Sequence, residues 1–172
     1  MNHLCSSKSR QLENLRPSMN LSKNFTYEEL IASAEAVRRG LDNTPPPEII
    51  KNLQKLAVKL EEVRTVLGQP MYVISGYRSP DLNFAIRGSK NSQHMQGLAC
   101  DFICPSMGTP YDVCKKLSQS TMEFDQLIHE YGQWIHIGFA NERNRKELLT
   151  ICNPKLGYRR GIFTCENPPN KA

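Results

Sequence analysis

Long apolar runs are missing from this chain of 172 residues. No window approaches the roughly 18 consecutive apolar residues of a membrane span, so insertion into a bilayer is not expected. The first twenty residues, MNHLCSSKSRQLENLRPSMN, lack the apolar centre of a secretory signal. Synthesis in the cytoplasm, without export by a signal peptide, is the expectation. CxxC pairs are missing as well. The six cysteines, at positions 5, 100, 104, 114, 152 and 165, do not resemble a disulfide framework. Without a signal peptide, reduced thiols are the default. Cys100 and Cys104 read as same-face residues of one strand rather than as a metal pair. The chain has no internal repeat, no low-complexity tract and no aromatic-interleaved basic patch, so nucleic acid is not an expected partner despite the net charge of +5. That charge suits a solvated surface or an anionic polymer. Histidine is scarce at four residues, and tryptophan occurs once.

A hydrophobic fraction of 39% and a charged fraction of 23% are ordinary for a globular protein. The length suits one domain with a proper core. Residues 1–20 read as a flexible leader and 21–172 as a single domain. Thr26 and Glu29 form a capping box before one short helix ending near Gly40. Thr44 and Pro45 to Pro47 open a second helix, on which Ile49, Ile50, Leu53, Leu56, Ala57, Leu60, Val63 and Leu67 recur at steps of three and four, closed by Gly68. "MYVISGYRS" reads as a strand running into a loop, and Pro80 to Gln93 as irregular. "GLACDFIC" is a strand, Thr109 and Pro110 begin a helix, and "FDQLIHE" with "QWIHIGF" form a hairpin around Gly132. The tail from Asn141 reads as helical, then as a short strand at "GIFTC". The fold class expected is α+β: N-terminal helices packed on a small, mainly antiparallel sheet.

Alternation along "QWIHIGF" puts Trp134, His136 and Gly138 on one face and Ile135, Ile137 and Phe139 on the other. In the same way Ala99, Asp101 and Ile103 share a face opposite Leu98, Cys100, Phe102 and Cys104. An acid entering an apolar strand is costly unless something compensates its charge, and a metal ion is one such partner. Two strands carrying one polar ligand each, with His94 just ahead of one of them, could converge on one ion. The spacing alone is also compatible with a hydrogen-bonded strand histidine and a turn-capping aspartate. His3 lies in the leader and is set aside.

"SGYRSPDLN", "SQHMQGLACDF" and "FDQLIHEYGQWIHIGF", in this order, resemble the zinc D,D-peptidase superfamily, with the phage-type branch most similar. That superfamily includes D-alanyl-D-alanine carboxypeptidases, phage endolysins and the Hedgehog-type fold. The resemblance covers roughly Phe25 to Phe139. It implies that His94, Asp101 and His136 bind zinc, and that Arg78 takes the substrate's carboxylate or polarised carbonyl. Ser92 and Gln93 would line the same pocket, and Trp134 would wall it. The implied reaction is hydrolysis of a peptide bond in peptidoglycan, of D,D-carboxypeptidase or endopeptidase type, by a monomeric hydrolase of phage or prophage lysis that acts at the wall once released.

Several relatives carry an acidic residue three positions before the last histidine ligand, and here that position is Gln133. An amide cannot serve as general base, so Glu130 is the replacement expected, with Asp125 a weaker one. His129 is expected to face away from the site, as a surface residue. Tyr77 and Asn83 read as scaffold. The alternative function is a non-catalytic, zinc-stabilised binding or virion structural module of the same fold. A basic tail binding nucleic acid is a third reading, which predicts salt-dependent binding.

Overall fold

Ser33 divides what the sequence offers as one helix. Its hydroxyl accepts the amide of Ala36, an alternative to the helical ladder, so α1 (Tyr27–Ile31) and α2 (Ala34–Arg39) form separately. This and the rest of the fold are seen in a computed structural model that describes residues 19–165. The expected leader lies mostly outside the described residues, as does His3. Its last two residues are described: Asn20 bridges Thr26, and the Met19 carbonyl accepts the Tyr27 amide at 2.8 Å.

Helix α3 (Pro47–Leu67) begins where proline is tolerated and ends on Gly68 in the left-handed region. Of the eight periodic apolar residues expected on its inner face, the six from Leu53 to Leu67 are buried, while Ile49 and Ile50 in the first turn are half-buried. Strand β1 (Tyr72–Ser75) follows. The segment expected to be irregular after Pro80 contains a helix, α4 (Pro80–Ala85). Ser79 caps it by accepting the Leu82 amide, and Pro80 sits in its first turn, so a local start signal outweighs the polar composition. A 3-10 turn (Gln93–Gln96) leads into β2 (Ala99–Ile103). Helix α5 (Pro110–Ser118) has the complete capping box of Thr109 and Asp112, and β3 (Gln126–Glu130) and β4 (Trp134–Gly138) form the expected hairpin.

Downstream of the hairpin the chain departs from expectation. The region read as helical contains β5 (Glu147–Ile151), paired in parallel with β3. Pairing with the open edge of β3, and packing of Leu149 and Ile151 with Ile128, override local propensity. The last strand is β6 (Arg159–Arg160) rather than "GIFTC". Phe163 is drawn off instead, its amide bonding the Thr150 hydroxyl and its carbonyl the His129 ring. Reduced thiols are also overturned in part. Cys152 and Cys165 form a disulfide, with Cα atoms 5.3 Å apart, because the returning tail lies beside the end of β5. Cys100, Cys104 and Cys114 are free and buried, as a small apolar side chain can be.

The sheet runs β1-β2-β4-β3-β5-β6, antiparallel except for β3 with β5. One face packs on the helices through Cys100, Phe102, Leu127, Ile135 and Ile137, which meet Leu53, Leu56 and Leu60 of α3 and Val113 and Leu117 of α5 in one core. Each large apolar side chain buried there contributes about 1.5–3 kcal/mol. Because the side-chain period of a strand is two, this packing fixes which residues point the other way. Asp101, His136, Ile128 and Glu130 are therefore committed to the opposite face.

Candidate metal centre

Asp101 on β2 is the register partner of His136 on β4, which in turn pairs with Ile128 on β3. Cross-strand neighbours on one face stand about 4.5–5.5 Å apart at Cβ, close enough for an aspartate and an imidazole to share one point. His94 reaches that point from the 3-10 turn before β2, where Gly97 at φ 65° redirects the chain. The three side chains are buried: His94 is 2% exposed, Asp101 5% and His136 8%.

Their facing atoms form a tight triangle. Nε2 of His94 lies 3.1 Å from Oδ1 of Asp101 and 3.1 Å from Nδ1 of His136, and the latter is 2.9 Å from the same Oδ1. His94 is held by its other nitrogen, Nδ1, which donates to the Gly76 carbonyl at 2.6 Å. That bond fixes the tautomer and leaves the Nε2 lone pair aimed at Asp101. Gly76 is required at its position, since a Cβ there would sit 2.2 Å from the Leu30 carbonyl oxygen.

Burial lowers the pKa of His94 and favours the neutral ring. Burial also acts to raise Asp101, but His94 and His136 outweigh it and hold the carboxyl well below the usual range. Nε2 of a neutral His94, Oδ1 of Asp101 and Nδ1 of His136 face one another with at most one proton among the three, so acceptors are left in conflict. A cation resolves that conflict. Ligands about 2.0–2.1 Å from a tetrahedral zinc ion stand roughly 3.3 Å apart, close to the spacing of this triangle. Two nitrogens and a carboxylate oxygen fit zinc, with a fourth position left over.

Arg78, Ser92, Gln93, His94, Asp101, Glu130, Trp134 and His136 line one cavity of about 500 Å³, which Asp125, the weaker candidate for the base, does not reach. Arg78 donates to Oδ2 of Asp101 and, through Nε, to the Ser75 hydroxyl at 2.9 Å. Glu130 is brought in by the turn after it. Tyr131 and Gly132 both have positive φ, 57° and 68°, and the Gln133 amide returns to the Glu130 carbonyl at 2.9 Å. Trp134 Nε1 donates to Oε2 of Glu130 at 2.9 Å. Burial, reinforced by the charge of Asp101, raises the pKa of Glu130. Gln133 is exposed in the turn and does not line the cavity.

Two expectations need correction. His129 does face away from the site, but it is buried, 2% exposed, with Nδ1 donating to the Phe163 carbonyl and its ring against Tyr111. Asp125 lies outside the cavity lining. Its carboxylate accepts Nε and Nη2 of Arg145 at 2.9 and 2.7 Å and Nε2 of Gln93 at 2.8 Å. Gln93 also donates to the Phe139 carbonyl, so the ion pair steadies a cavity residue from behind.

Arg145 holds the Asp125 carboxyl below its usual range. A depressed carboxylate pKa adds stability above the unfolded value, and that stability is lost as pH falls through the folded one. Asp125→Asn is therefore expected to cost about 2 kcal/mol near neutrality. The gap to the wild type should close in acid, as urea unfolding at both pH values would read.

Three further residues on the cavity, Arg87, Tyr131 and Tyr158, carry no signal in the sequence. Arg87 stands in a loop at a positive φ of 58°, and Tyr158 belongs to the tail beyond β5. Among the described residues no helix is long and apolar enough to cross a membrane. A comparison with curated proteins finds no match. A family model described as Peptidase M15 matches residues 23–138, more than half of the chain, and the match contains every residue of the triangle.

Proposed function

The chain belongs to the Peptidase M15 family, and from that premise we propose that it is a zinc-dependent peptidase hydrolysing a peptide bond of bacterial cell-wall peptidoglycan. The observation that carries this reading is the triangle of His94, Asp101 and His136, beside a carboxylate of raised pKa in the same cavity. Zinc held by those three residues would supply a Lewis acid for the scissile carbonyl and make water acidic near neutral pH.

The chain's own groups divide the remaining work. Glu130 takes the proton of the attacking water and passes it to the leaving amine, a role suited to a carboxyl whose pKa has been moved toward the working pH. Trp134 keeps Glu130 aimed by bonding one of its two oxygens and leaving the other free for the proton. Arg78, fixed by Ser75, presents a planar fork to a substrate carboxylate or carbonyl. Arg87 adds a second cation on the same cavity, which favours stem peptides rich in free carboxylates. Ser92 and Gln93 line the approach. A lysis enzyme of phage type is the setting we propose. The positive net charge supports it, by drawing the protein to anionic wall polymers.

Mass spectrometry of purified peptidoglycan after incubation with zinc-loaded protein tests the reading. New fragments are expected, and their exposed ends identify the bond. Intact peptidoglycan from several wall chemotypes, despite one bound zinc, would support the non-catalytic module.

A further inference from the structure

The segment that closes the cavity on the side of Glu130 lies beyond the family match, which ends at residue 138. It is the connection between β5 and β6, and it carries Tyr158 to the cavity lining, alongside Glu130, Tyr131 and Trp134. The side chain of Tyr158 is 59% exposed, and its hydroxyl has no hydrogen-bond partner among the described residues. Tyr158 therefore stands on the rim of the site, exposed to solvent on one side and part of the cavity lining on the other.

The connection has little to hold it in place by itself. Residues 152–156 are exposed, and the hydrogen bonds within them are local, from the Lys155 and Leu156 amides to Asn153. Strand β6 is two residues long. Its far end is held by the pairing of Arg159 and Arg160 with Thr150 and Leu149 and by the Gly161 amide on the Leu148 carbonyl, and the Cys152–Cys165 bond joins its start to the tail after β6. The tail is in turn bonded to Thr150 and His129. The start of the connection is also tied to the hairpin turn, since the Tyr131 amide donates to the Ile151 carbonyl at 2.7 Å.

We propose that Tyr158 is a substrate-contacting residue of the metal cavity, held in position by the Cys152–Cys165 disulfide, so that the oxidised protein binds its peptide more tightly than the reduced one. A phenol on the rim, with donor and acceptor both unused, matches the amides and carboxylates of a peptide crossing the site. Reduction by an external thiol or phosphine breaks the S–S bond with two electrons and two protons. It yields two cysteine thiols and one oxidised reductant, and frees the connection to move away from the cavity. The inference rests on the peptidase reading for the identity of the ligand.

The test uses the full chain, zinc-loaded, and a synthetic stem pentapeptide ending in D-alanyl-D-alanine. Tyr158→Phe is expected to raise KM about fivefold to tenfold with kcat nearly unchanged, as the loss of one binding hydrogen bond does. Replacing both Cys152 and Cys165 by Ser should reproduce that rise, and combining the two changes should add little, because they act on one element. Metal content and the thermal transition of each variant establish that it is folded and loaded. An unchanged KM in Tyr158→Phe overturns the contact, and an unchanged KM in the folded double cysteine variant overturns the role of the disulfide.

Calorimetric binding of the same peptide to Glu130→Gln protein, with and without Tyr158→Phe, separates this inference from the peptidase reading. Weaker binding with Phe at 158 supports the contact even where the wild type leaves the peptide intact. Equal binding overturns it even where the wild type cleaves.

Discussion

His94→Ala protein is expected to fold, to retain no stoichiometric zinc after dialysis and to release no fragments from peptidoglycan. Two donors remain on a site that needs three, and two do not hold a catalytic zinc against buffer. Loss of an outer partner typically costs 10–100-fold, so loss of a ligand should exceed about a hundredfold in turnover. The fold should survive, because the Asp101 carboxylate keeps Arg78 and His136 as partners and the core lies on the other face of the sheet. Elemental analysis beside the peptidoglycan assay reads both quantities. A variant that keeps one zinc and full activity would falsify the placement of the metal at this triangle.

Glu130→Gln is the second large effect, and of the opposite kind. Zinc should be retained, since Glu130 is not among the three facing groups, while kcat falls by roughly 10²–10⁴ with loss of the general base. The pH profile gives an independent reading. A general base works only as the carboxylate, so the rate rises with pH through its pKa. Burial and the charge of Asp101 raise that pKa, so the acid limb of kcat/KM should lie above the ordinary glutamate range. In Glu130→Gln that limb should vanish from whatever activity remains. Gln133→Glu should restore nothing, because position 133 is exposed in the turn rather than on the cavity. Unchanged kcat in Glu130→Gln would mean that another group takes the proton.

What could be read in advance depended on period. Alternation in "QWIHIGF" and "LACDF" placed His136 and Asp101 opposite the aliphatic face, and the structure has Ile135, Ile137, Cys100 and Phe102 fully buried on that face. The three-and-four spacing on α3 was equally plain. Features that depend on remote partners were not. β5 is a strand because β3 offers it an edge, and nothing within "ELLTI" announces that. His129 is buried because Phe163 and Tyr111 cover it from distant positions. Cys152 and Cys165 meet because the tail folds back, which no cysteine spacing could encode. Helix α4 was legible in principle, since Ser79 and Pro80 are a start signal of the kind read correctly at Thr109 and Pro110, but the Asn, Gly and Ser content that follows obscured it.

The sheet ends on β6, two residues long and both of them arginine, with Arg159 stacked over the Phe163 ring at 4.5 Å. A sheet margin with free backbone groups is a template onto which another chain can add, and brevity together with fixed positive charge is a common defence against this. Lodging the terminal pair in a cationic stub therefore guards this margin of the sheet against self-templated addition. Replacing the two arginines by threonine or valine in pursuit of a stiffer strand would remove that shield and leave a sticky border where fibrils could begin.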